Sequence, residues 1–178
     1  MRNIERFVNL IACAVLSPPP EDFIEIAGIE YEEESDLGLA ITAFRSFQAF
    51  VIGSSLHVAC KGIDECNLLA GRVINKVGEA FDEHYANELF SNAASFYWKH
   101  VEKIGKAEKL PELSNALWPP FHKNIQKYDL REPSNGFRTL TRYWLADEYV
   151  QTSCLVRDNY NSLVARPSET HLYYDFHS

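Results

Sequence analysis

Residues 37–60, LGLAITAFRSFQAFVIGSSLHVAC, constrain the fold more than any other stretch. Leu37, Ala40, Ile41, Phe44, Phe47, Val51 and Val58 recur at helical steps, and Phe50, Ile52 and Leu56 widen the stripe beyond one face. A helix that is apolar around most of its circumference must be covered on several sides. This predicts an all-α, single-domain helical bundle spanning residues 1–178, with this helix buried at its centre. A chain of 178 residues is long enough to bury such a core without disulfides or metal. The stretch is also long enough to cross a bilayer, but Arg45, Ser46, Gln48, Ser54, Ser55 and His57 interrupt it and no second apolar run accompanies it. A membrane is therefore a disfavoured partner.

The flanking segments supply the covering helices. Residues 2–16 place Ile4, Phe7, Val8, Ile11, Ala14 and Val15 on one face. Their Leu10-Ile11-Ala12-Cys13 mimics an export cleavage site, but Asn9 interrupts the apolar run and Glu5 sits where positive charge should rule, so a packed helix in a cytoplasmic protein is expected. Pro18-Pro19-Pro20 ends that helix and opens a connecting segment, 18–35, whose Ser35 is expected to cap the central helix. Lys61-Gly62 provides its stop. Apolar periodicity then predicts helices over 63–84 and 87–106, either parted by a turn at 84–87 with Asn87 as cap or fused into one rod. Pro111 starts a short helix, Trp118-Pro119-Pro120 is expected to break it, and 121–128 forms another. The last helix, 137–166, carries a stripe that drifts from Phe137, Leu140 and Trp144 to Leu145, Tyr149, Val156, Tyr160 and Leu163, so it must bend or change partners along its length. Four or five main helices result, followed by an aromatic tail at 168–178.

Charge is distributed unevenly. The chain has 25 acids and 17 bases, and eight of the acids lie between Glu21 and Asp36 with no Lys or Arg among them. The remaining 17 acids balance the 17 bases, so the whole net charge of −8 sits in one segment. Bulk electrostatics disfavour nucleic acid as a partner.

Motifs for catalysis are sparse. The cysteines at 13, 60, 66 and 154 show no paired zinc or redox spacing and read as reduced, mostly buried thiols; His57 and Cys60, one turn apart, sit at the end of the most apolar helix, where a thiol is inert. No Glu-x-x-His occurs, Ser54-Ser55 has no nucleophile elbow, and the glycines form no phosphate-binding loop. No cofactor is expected.

Three features point instead to recognition. The acidic segment interleaves Glu30, Glu32, Glu33, Glu34 and Asp36 with Tyr31 and other apolar anchors, Trp118 lies in a proline-flanked aromatic run, and Tyr173 and Tyr174 dominate the tail. The sequence thus predicts a non-catalytic interaction protein, such as an inhibitor, immunity-type or adaptor module, binding a protein partner with a basic surface; self-association stays open. Two alternatives remain. One is a bundle enzyme with His84, His100 and Glu88 or Glu148 around a metal, and the other a small-molecule-binding regulator with a pocket lined by Phe44, Phe47, Trp98 or Trp144.

Overall fold

The computed structural model describes residues 2–17, 34–128, 130 and 135–165; at 34–36 and 135–137 it describes the backbone only. Among the described residues the protein is all-α. Helix α1 spans Arg2–Leu16, α2 Glu34–Ala59, α3 Ile63–Ala80 and α4 Glu83–Asn92. A π turn, Ala93–Tyr97, and a 3-10 turn, Trp98–His100, then lead into the short α5, Val101–Gly105. Helix α6 spans Leu110–Gln126 and α7 Asn135–Tyr160, which ends in a second π turn, Asn161–Ala165.

The apolar circumference of α2 is covered as its composition requires. It packs on α7, α4 and the first π turn, and also touches α1, α3 and α6. By length and hydropathy Leu37–Ala59 is long and apolar enough to cross a bilayer, but two thirds (67%) of its most apolar 18-residue window is buried by its own protein. Two core clusters meet along it. Ala40, Phe44, Phe47, Phe50 and Val51 join Tyr97, Ile104, Leu117, Phe121 and Leu145, while Ile52 and Leu56 join Phe7, Ile11, Leu69, Val73, Val156 and Tyr160. The drifting stripe on α7 has the same cause: Leu145 and Ala146 belong to the first cluster and Val156 and Tyr160 to the second. The helix changes neighbours along its length.

Four local expectations are corrected. Helix α2 begins at Glu34, so Ser35 lies inside its first turn instead of capping it. The break between α3 and α4 falls at Phe81-Asp82, where Phe81 leaves helical geometry (φ −108°, ψ −82°) and Asp82 caps α4 by accepting the Tyr85 N–H at 2.7 Å. Asn87 is one turn too late, inside α4. The segment expected as one helix over 87–106 is interrupted by the π and 3-10 turns.

The fourth correction concerns Trp118-Pro119-Pro120, which lies within a continuous α6. A proline in a helix interior lacks the N–H for the carbonyl four residues back and its ring crowds that carbonyl, which costs about 3 kcal/mol. Burial offsets this. Leu113, Ala116, Leu117, Trp118, Pro120, Phe121 and Ile125 all lie in the interior, and Asn124 donates from Nδ2 to the Ala43 carbonyl of α2 at 2.9 Å.

Candidate functional site

The acidic segment enters the described structure only where α2 begins. Glu34 and Asp36 lie in its first turn, where carboxylates complement the positive end of the helix dipole. Glu30, Tyr31, Glu32, Glu33, Tyr173 and Tyr174 lie outside the described residues, as do the side chains of Glu34 and Asp36.

Trp118 is brought inside. Its ring is only 8% exposed, stacks on His122 (centroids 5.5 Å apart, planes 19° apart) and lies under the Arg142 guanidinium, 5.3 Å from the ring centre. Trp118 thus packs with the core and does not present an exposed ring.

The described residues carry their own charge pairs. Arg72 meets Glu5 at 2.7 Å, Lys76 meets Glu79 at 2.6 Å, Lys127 meets Glu88 at 3.1 Å and Lys106 meets Glu102 at 2.5 Å. Glu88 is the best connected of these carboxylates. Burial works against its charge, but hydrogen bonds from Lys127 and from the Tyr128 hydroxyl (3.0 Å), with the nearby ammonium, hold its carboxyl below the ordinary range. Asn92 completes the knot, donating to Tyr128 at 2.9 Å and accepting from Lys127 at 2.9 Å.

That arrangement does not bring His84, His100, Glu88 and Glu148 together. His84 is exposed at the start of α4, Glu88 is engaged with Lys127 and Tyr128, and Glu148 accepts from Gln48 at 3.2 Å and Thr152 at 3.3 Å. Burial, with Lys99, Lys123 and Lys103 nearby, holds the His100 imidazole below the ordinary value. Among the described residues no three His, Cys, Asp or Glu side chains converge as a metal site would require.

The pocket alternative fares differently. Phe44 packs on Trp144 (5.3 Å) and Phe47 is closed in between Tyr97 and Phe121, so that region is filled core. Trp98, however, lies on the rim of a cleft of about 200 Å³ between α2, α3 and the first π turn. Small residues make the space: Gly53 on α2, Ala70 on α3, and Ala93 and Ala94 in the π turn. Phe50, Ile52, Leu56, Val73 and Phe90 make it apolar, while Asn67 and Cys66 supply its polar atoms.

The π turn sets the register on this side. Tyr97, wholly buried, lies flat on Phe50, and Trp98 turns outward, 41% exposed, edge-on to Phe50 and His57. Such turns recur at functional sites. Nothing in the string Ala93-Ala94-Ser95-Phe96-Tyr97 marks a π turn, so the sequence located Trp98 as a lining residue without revealing the cleft. No protein-family model, no curated protein and no solved structure matches the chain.

Proposed function

We propose that this chain is a non-catalytic interaction protein that recruits a protein partner with a basic surface through the carboxylates of residues 21–36. The observation that carries this reading is the segregation of charge: eight acids without a base in that segment account for the entire net charge of −8. The ion pairs among the described residues join acids to bases of the helical body or of the turns that end its helices, consistent with a body that neutralises itself. Long-range attraction brings the partner in, and apolar residues interleaved with the acids, Tyr31 among them, provide the contact.

The test is parallel affinity capture with the wild-type chain and with a variant carrying Glu30→Gln, Glu32→Gln, Glu33→Gln and Glu34→Gln, in low and in high salt. The reading requires a basic protein retained by the wild type at low salt, released by salt and absent from the variant. Retention of the same protein by both chains in both salts contradicts it.

A second reading rests on the cleft beside Trp98. Its apolar lining and its volume of about 200 Å³ suit a small apolar ligand, and the regulator reading would place that ligand there. Calorimetric titration with toluene separates the two readings, because binding abolished by Ala93→Leu and unaffected by the four Gln substitutions belongs to the cleft alone.

A further inference from the structure

The junction of α2 and α3 holds two thiols. Cys60 and Cys66 carry no recognisable spacing, yet the fold makes their thiols neighbours. Cys60 is the residue that follows α2, its N–H bonded to the Leu56 carbonyl at 2.9 Å, and Cys66 lies in the first turns of α3, its N–H bonded to the Gly62 carbonyl at 3.1 Å. Between them the chain reverses at Lys61-Gly62. The turn is pinned by Glu65, whose Oε2 accepts the Lys61 N–H at 2.9 Å and the Tyr160 hydroxyl at 2.8 Å. Both thiols border the second core cluster, Cys66 buried at 8% exposure and Cys60 half-buried, and the two side chains lie close enough to interact with each other.

We propose that Cys60 and Cys66 are a dithiol modification site that closes to an intramolecular disulfide when offered a small disulfide oxidant such as oxidised glutathione. The more accessible Cys60, as thiolate, attacks one sulfur of glutathione disulfide, forms a mixed disulfide and expels one glutathione. Cys66 then loses its proton, attacks the Cys60 sulfur, forms the Cys60–Cys66 bond and expels the second glutathione. The protein dithiol loses two electrons and its two protons, and the oxidant becomes two glutathione thiols. Because Cys66 also lines the cleft, the bond couples the oxidation state of the turn to the wall of that cleft.

The surroundings set the rate. Burial pushes the Cys60 thiol up to about 12, with Cys66 and the Glu65 carboxylate adding to the effect, and the Cys66 thiol is raised by burial as well. Glu65 on α3 and Tyr160 on α7 face the pair, with Lys61 in the turn between. Both thiols are therefore protonated at neutral pH, and closure should accelerate by about tenfold per pH unit from about pH 7 to 9.

Trypsin provides the test, since it cuts after Lys61, between the two cysteines. The wild-type protein is incubated with oxidised glutathione, alkylated, digested and mapped by mass spectrometry. The proposal expects two of the four thiols to escape alkylation, and peptides 46–61 and 62–72 to remain joined until reduced. Cys13→Ser and Cys154→Ser should retain the joined peptide, and Cys60→Ser should lose it. Glutathione adducts confined to Cys13 and Cys154, or disulfides between molecules with 46–61 and 62–72 separate, would overturn it.

Discussion

Tyr97 lies flat against Phe50, ring centroids 5.0 Å apart and planes 16° apart, and this stack fixes the π turn to the central helix. The Tyr97 hydroxyl is wholly enclosed and accepts from Asn124 Nδ2 at 3.2 Å, so α2, the π turn and α6 are joined at one point. Tyr97→Phe keeps the stack and leaves an amide donor short of a partner, an expected loss of about 1–2 kcal/mol in denaturant unfolding. Tyr97→Ala removes the ring as well and should cost about 3–5 kcal/mol. Equal effects of the two substitutions would show that the ring is not a core contact.

Proline in the interior of α6 makes an unusual prediction. Pro119 is exposed and Pro120 is buried, yet both are helical. Pro119→Ala restores a helix donor at a solvent-facing position, so it should stabilise the protein by about 1–3 kcal/mol, part of the helix gain being returned through the freer unfolded chain. Were the helix broken there, the substitution would be neutral or destabilising in thermal unfolding.

The cap of α4 is similarly open to test. Asp82→Ala should lower stability by about 1 kcal/mol and Asp82→Asn should retain most of it, because either Asx oxygen can accept the Tyr85 N–H. Asn87→Ala, at a position inside α4, should cost much less.

Alkaline pH should loosen the fold. Burial, with Glu65 accepting its hydrogen bond, pushes the Tyr160 hydroxyl up to about 12, the Cys60 thiol stands at a similar value, and burial with the Glu88 carboxylate raises the Tyr128 hydroxyl. The unfolded chain sheds these protons at ordinary thiol and phenol values, whereas the folded chain keeps them. Their contribution is complete below the unfolded values, so stability should decline from about pH 9 toward pH 12. A denaturation midpoint that stays flat or rises between pH 9 and 11 would contradict these environments.

The sequence made the burial of residues 37–60 legible because periodicity registers where apolar surface lies, and the drift on α7 was readable for the same reason. It did not show the π turn, which depends on fitting Tyr97 onto Phe50 from another helix. Apolar spacing that continues smoothly from Val77 through Phe81 to Ala86 masks the cap at Asp82, so periodicity alone places the α3–α4 break too late. Trp118-Pro119-Pro120 reads as a break locally, and only the burial of Trp118 and Phe121 overrides it. The Cys60–Cys66 contact depends on the angle at which α3 leaves the turn, and no spacing rule carries that angle.

Steering by the acidic segment is the centre of the account, and the rate of association with the basic partner recovered by affinity capture tests it most directly. Stopped-flow association rates should fall by at least about tenfold as salt rises from about 20 mM to about 500 mM, as the Debye length shrinks from roughly 20 Å to a few ångströms. The variant with Gln at 30, 32, 33 and 34 should bind slowly at every salt concentration, its helical content unchanged. A wild-type rate independent of salt, or a variant as fast as wild type at low salt, would contradict the account.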